Sequence, residues 1–245
     1  MPMTISRFPK PACLARNCER MQAIRTLREL EKCLATLAHT EAALDAVKEF
    51  SKGLKNSNER IKIFNADGAM VRSPISSDET RAAGYDHPED DFRVLQGDVV
   101  ATESAFFLGE RVTNSPKYVV LSSSCDLVPG RRSNAALLRV REVRKQEDNA
   151  KEKLSLLLKF RRTESMYLPV LPCDHDDVIC NVIDFDGICQ IRSSDLVLAN
   201  RIASLSVAGW RIFASFSRTV IARANPRECE MRLALERDLL SDLDA

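Results

Sequence analysis

The hydrophobic positions change period near residue 92. From Glu19 to about Leu54 they follow a helix: Leu27, Leu30, Leu34, Leu37 and Leu44 recur at 3-, 4- and 7-residue steps, with Ile24, Val47 and Phe50 widening the stripe. Gly53 and Asn56 supply a stop. Such a helix packs either on its own domain or on a partner, a second copy included. Arg60–Phe64 and Ala69–Val71 flank Asn65-Ala66-Asp67-Gly68 and predict a small β-hairpin. Ser73 to Asp91 reads as a connector, with Pro74, Gly84, Pro88 and the acidic run Glu89-Asp90-Asp91. A boundary near Phe92 divides the chain into 1–91 and 92–245.

Beyond it, short strands alternate with polar turns. Val94–Ala101 is a strand with a Gly97-Asp98 bend, Phe106-Phe107 precede a turn at Gly109, and Lys117–Leu121 is a β-branched and aromatic core strand. Asn134–Val143 ends in strict alternation, Leu138 and Val140 against Arg139 and Arg141, so one face is buried and the other basic. Arg144 to Arg162 predicts a short helix and Tyr167–Pro172 an extended segment. Val178–Asp184 and Ile188–Ile191 predict two strands joined by a Phe185-Asp186-Gly187 turn. Ser193-Ser194-Asp195 caps a turn leading to Leu205, Ser206–Ser217 predicts a helix, and Pro226 opens a final one. The class is α+β: a partly open β-barrel with a helical N-terminal extension and a C-terminal helix.

Lys and Arg total 36 against 35 Asp and Glu, so nucleic acid would have to be attracted by a local patch. Eight Cys at irregular spacing, no apolar run of membrane-spanning length and no secretory h-region predict a cytoplasmic protein with free thiols. Arg7, Lys10, Arg16 and Arg20 share the basic character of an organelle transit peptide, which Pro9 and Pro11 would interrupt.

The candidate chemistry gathers where the core strand ends, at Ser122-Ser123-Ser124-Cys125-Asp126, before Val128-Pro129-Gly130 breaks the chain. Ser122, Ser124, Cys125 and Asp126 are the candidate catalytic residues. Cys125 would need a base, and His175 is the one histidine available within the barrel; otherwise Cys125 is a small core residue and Asp126 bonds turn amides. Arg131, Arg132, Arg139 and Arg141 are the candidate nucleic-acid contacts, since guanidinium forks suit phosphate oxygens. Arg144, Lys145, Lys159, Arg161 and Arg162 would extend that patch where Glu142, Glu147, Asp148 and Glu152 leave it unbalanced. Cys173, His175, Cys180 and Cys189 have zinc-ligand residue types without a paired C-x-x-C spacing, so no metal or cofactor is expected.

Gly97-Asp98-Val99-Val100 and Tyr118-Val119-Val120-Leu121-Ser122, followed by a late helix, resemble the PemK/MazF type of SH3-like barrel over about Val94 to Arg223. The resemblance implies RNA cleavage or nucleic-acid binding, in a toxin–antitoxin or bacterial defence setting. The chain departs from the family at its Pro-rich loop, here Thr113–Lys117 with Arg111 nearby. Ser122 or Ser124 matches the family's hydroxyl near the scissile phosphate only loosely. The competing expectation is a non-catalytic protein-interaction component that assembles through the 19–54 helix.

Overall fold

The computed structural model describes residues 24–37, 41–84, 93–112, 117–221 and 226–243. The basic stretch up to Arg20, Cys13, Cys18, the boundary at Phe92 and the loop before Lys117 lie outside them. Two helices, α1 (Leu27–Leu37) and α2 (Glu41–Gly53), replace the single long one, and α3 (Ser57–Phe64) follows. Residues 60–64 are therefore helical, not the first arm of a hairpin. Asn56 caps α3 by accepting the Glu59 N–H at 2.9 Å, and Arg60 and Phe64, one turn apart, share its buried face. The alternation of Ile61 and Ile63 loses to that cap and that face.

β1 (Val71–Arg72) leads to α4 (Ser77–Ala82), a short helix inside the predicted connector, closed by a Ser76/Glu79 capping box. Then come β2 (Asp98–Ala101), β3 (Phe106–Phe107), β4 (Glu110–Arg111), β5 (Lys117–Val120), a 3₁₀ turn (Ser124–Leu127) and β6 (Asn134–Arg144). They are followed by α5 (Ala150–Leu157), β7 (Ser165–Leu168), β8 (Val178–Arg192), α6 (Ser193–Val197), β9 (Asn200–Leu205), α7 (Val207–Ile221) and α8 (Pro226–Leu243). The predicted pair of strands at 178–191 is one continuous strand, β8. Asp184 pairs with Arg139 and Ile188 with Leu138, so 185–187 bulge out of register instead of turning. Gly187 sits there because the Arg139 side chain crosses it: a Cβ would lie 3.2 Å from Arg139 Cδ. β9 is a strand that the sequence pattern hid behind the α6 turn.

The strands form one antiparallel sheet ordered β1-β9-β2-β5-β6-β8-β3-β4, with β7 pairing on β8. Among the described residues its two ends do not pair, so the sheet is open. A large apolar core joins α1, α2, α3 and α7 to the sheet through Leu30, Leu34, Val47, Phe50, Phe64, Phe185, Phe213 and Phe216. The leucine stripe of the N-terminal helices is thus buried within the chain's own core. A smaller cluster lies among β2, β5, β6 and the C-terminal half of β8: Val100, Tyr118, Val120, Leu137, Cys189 and Ile191, capped by Leu127 and Leu196. Among the described residues no helix is long and apolar enough to cross a membrane.

Candidate functional site

The 122–126 stretch is held against β2 and β6 by its own backbone and hydroxyls. Ser122 Oγ accepts the Ala136 N–H at 2.8 Å, and the Ala136 carbonyl accepts the Leu121 and Ser122 N–H groups, which prolongs the β5–β6 ladder past Val120. Ser124 Oγ accepts the Gln96 N–H at 2.9 Å, and Leu127, buried, plugs the smaller cluster. Gln96 is the hub of this corner. Its Nε2 donates to the Leu121 carbonyl at 2.8 Å, and its Oε1 accepts from Trp210 Nε1 at 3.2 Å. Gly97 follows at φ +88°, a left-handed backbone in which a Cβ would meet Leu205 and Trp210 at 3.1–3.2 Å.

Asp98, fully buried, ties the corner to β9. Its carboxylate accepts from Ser204 Oγ at 2.5 Å and the Leu95 N–H at 2.8 Å, and pairs with Arg201 at 2.9 Å. Burial pushes the Asp98 pKa up, and those three partners offset only part of the cost. The Gly-Asp step and the serine stretch, 24 or more positions apart in sequence, therefore meet in one corner.

Cys125 is exposed, and its carbonyl accepts from Arg131 Nη1 at 3.1 Å. Asp126, about half exposed, pairs with the more exposed Arg132 at 3.3 Å, a contact of little energetic weight. His175 lies at the other end of β5, in the β7–β8 loop whose Asp174 meets Lys117. The structure does not bring the Cys125/His175 pair together. The thiols of Cys180 and Cys189 are buried in different clusters, and burial pushes the Cys180 pKa up to about 12. Among the described residues no three His, Cys, Asp or Glu are grouped to hold a metal ion.

The arginines divide into two groups. Arg131 and Arg132 stay beside Asp126, whereas Arg141 lies five residues along β6 from Ala136, about 17 Å away at 3.3 Å per residue. Arg139 stands over the Phe107 ring at 5.7 Å, and Arg141 pairs with Asp184 at 3.2 Å. Arg141, Lys153 and Arg162 line an open cavity of about 280 Å³ together with Leu156 and Leu157. Arg144 is neutralised by Glu142 and Asp177, and Lys145 Nζ donates to the Asp176 carbonyl at 2.7 Å.

One ionic cluster escaped sequence reasoning. Lys117, at the start of β5, is 7% exposed, and its Nζ contacts Asp174 and Glu142, with Asn181 Oδ1 at 3.4 Å. Asp174, whose side chain is fully buried, also accepts from the Leu171 N–H at 2.7 Å and Asn181 Nδ2 at 2.6 Å. Burial works against the Lys117 charge, but the hydrogen bonds from its ammonium to Asp174 and Glu142 outweigh it and hold its pKa above the ordinary lysine value. Its four members come from three strands and a loop, so no local spacing announces them.

The serines' structural role gives a direct test. Ser124→Ala removes the acceptor of a half-buried N–H and should lower stability by about 1–2 kcal/mol in urea unfolding. Ser123→Ala, at an exposed position, should stay within about 0.5 kcal/mol of the parent. Equal effects would show that the Ser124–Gln96 bond carries no weight.

Compared with known proteins, the chain matches no protein-family model and no curated protein.

Proposed function

We propose that the chain binds single-stranded nucleic acid, without cleaving it, along β6 and the β3–β4 hairpin. The observation that carries this reading is Arg139 held over Phe107, two residues along β6 from Arg141, which lines a cavity with Arg162, Lys153 and Glu152; Arg141 is also paired with Asp184 and Lys153 with Glu147. Aromatic rings and guanidinium groups stack bases irrespective of sequence, and neighbouring cations follow the phosphates. Leu108, 88% exposed at the tip of the hairpin, adds apolar surface to the same edge.

The cleavage reading has less support. Ser122 and Ser124 each hold a backbone amide, Asp126 faces Arg132, and His175, the one histidine among the described residues, lies at the far end of β5. The enclosed small cluster among β2, β5, β6 and β8 is what favours a partly open barrel of PemK/MazF type. A toxin–antitoxin or defence role rests on that resemblance. Assembly through the N-terminal helices is a weaker alternative, since their leucines are buried against the rest of the chain.

The test is fluorescence anisotropy with labelled single-stranded RNA and DNA between roughly 50 and 200 mM salt, with the same RNA run on a denaturing gel. Binding should weaken with salt, and each lost phosphate contact should flatten the log–log slope by about 0.7. Arg139→Glu with Arg141→Glu should reduce affinity at least tenfold and flatten that slope. Binding unchanged in this variant, or absent at the lowest salt, overturns the proposal. Cleavage products lost on Ser122→Ala or Ser124→Ala would establish the nuclease instead.

A further inference from the structure

A second, smaller cavity lies between α2, α3 and the segment that leaves α5, where Arg161 lines it and the next residue, Arg162, lines the first. It is about 190 Å³ and is lined by Lys48, Lys52, Arg60, Lys159 and Arg161, with Glu49 as its one acid. Five cations around one acid is an unusual lining for a chain whose charges otherwise balance.

The cavity is built, not incidental. Arg60 is 8% exposed, and two of its three nitrogens are fixed by backbone carbonyls: Nε donates to Ser51 at 2.8 Å and Nη2 to Leu54 at 2.9 Å. No acceptor among the described residues takes its Nη1, and the residue lines the cavity. Arg60 is nine-tenths buried as a residue and has no carboxylate partner among the described residues, so an anion in the cavity would offset the cost of burying its charge.

The other walls are equally constrained. Ser51 Oγ donates to the Leu158 carbonyl at 2.5 Å, and Ser57 and Ser155 hydroxyls meet at 3.0 Å, so α2 and α3 are both tied to the α5 region. Phe160, with φ +50°, turns into the large core against Phe64 and Phe216. Its neighbours Lys159 and Arg161 are thereby left on the cavity, and neither has an ion-pair partner among the described residues. Among the described residues Lys48 and Lys52 are engaged only by i,i+3 contacts to the exposed Asp45 and Glu49, which a stronger acceptor displaces readily.

We infer that this cavity binds a small multivalent oxyanion, of the size of a phosphate or diphosphate group, with Arg60 as the anchoring donor and Lys159 and Arg161 closing on the outer oxygens. Guanidinium forks and ammonium groups together match phosphate oxygens. The inference does not rest on nucleic-acid binding at β6.

The experiment is thermal unfolding of the full chain in inorganic phosphate or pyrophosphate, against sodium chloride at matched ionic strength. At an anion concentration one hundred times its dissociation constant the midpoint should rise by roughly 5–10 °C over the chloride control. Lys159→Gln with Arg161→Gln, both on the outer wall, should leave the midpoint in chloride unchanged and reduce the phosphate-induced rise at least by half. Arg60→Gln should abolish the rise, but it also leaves two carbonyls short of donors, so the outer pair is the deciding variant. A rise no larger than in chloride, or one retained in full by the outer pair, overturns the inference.

Discussion

Lys117→Met should destabilise the protein by about 3–5 kcal/mol, a large part of the 5–15 kcal/mol by which domains are ordinarily stable. Methionine fills the same space, so the loss comes from charge. Asp174 is left fully buried with only the Leu171 and Asn181 N–H groups, while Glu142 keeps Arg144. Urea unfolding monitored by circular dichroism at neutral pH measures it, and a loss below about 1 kcal/mol would mean that Asp174 relaxes into water. Adding Asp174→Leu should recover part of the loss, because the uncompensated carboxylate is then gone.

The same variant predicts a change in the alkaline limb of stability. Lys117 has a folded-state pKa raised above 10.5, so its contribution is fully present below the unfolded value and is lost as pH rises through the folded one. Tyr118 adds to the fall, since burial pushes its pKa from 10 up to about 12 and the folded phenol holds a proton that the unfolded one releases. In Lys117→Met the lysine share disappears while those of Tyr118, Tyr167 and the buried thiols Cys180 and Cys189 remain, so stability should fall less steeply above about pH 10. On the acid side burial raises the Glu142 pKa, but bonds from Lys117 and Arg144 pull it below the ordinary value. Its stabilising share is present above the unfolded value and is lost as pH falls through the lowered one.

How much of this was legible in the sequence depends on how far apart the partners lie. β6 could be read directly, because Leu138 and Val140 against Arg139 and Arg141 spell out a strand with one wet face. β5 and its abrupt end at Ser122 were equally plain. β8 was misread as two strands because Asp186-Gly187 has turn chemistry, yet that glycine makes room for Arg139 on the neighbouring strand. α3 was misread because Ile61, Ile63 and Phe64 suit a strand as well as a helix, and only the contacts of Arg60 and Phe64 decide. The candidate site splits in the same way. Ser122 through Arg132 stay together because they are close in sequence, whereas Arg139 and Arg141 are carried away by the straightness of β6. The Lys117 cluster and the Arg60 cavity are assembled from distant segments, and nothing local marks their residues as partners.

Gly209→Ala should destabilise the protein by about 3 kcal/mol, the upper end of what overpacking costs, although glycine-to-alanine inside a helix ordinarily gains about 0.8–1 kcal/mol. The reason is how closely α7 lies on the chain before β1. Ser206 N–H donates to the Met70 carbonyl at 2.9 Å; its Oγ donates to the Ala69 carbonyl at 2.7 Å and accepts the Gly209 N–H at 3.0 Å. A Cβ at 209 would lie 2.1 Å from Met70 O, a backbone atom that cannot rotate aside. Either the Ala69–Met70 turn or the whole helix must move, and α7 also carries Phe213 and Phe216 into their contacts with Phe185 and Phe160. The melting midpoint should drop by about 6–12 °C. Gly53→Ala is the control, at the end of α2, where nothing lies within 4 Å of the new Cβ. It should leave the midpoint unchanged or raise it slightly, by removing freedom from the unfolded chain. If the two substitutions shift the midpoint alike, α7 does not pack on Met70 in the way that places Trp210 against Gln96, and the corner that holds Ser124 would have to be built differently.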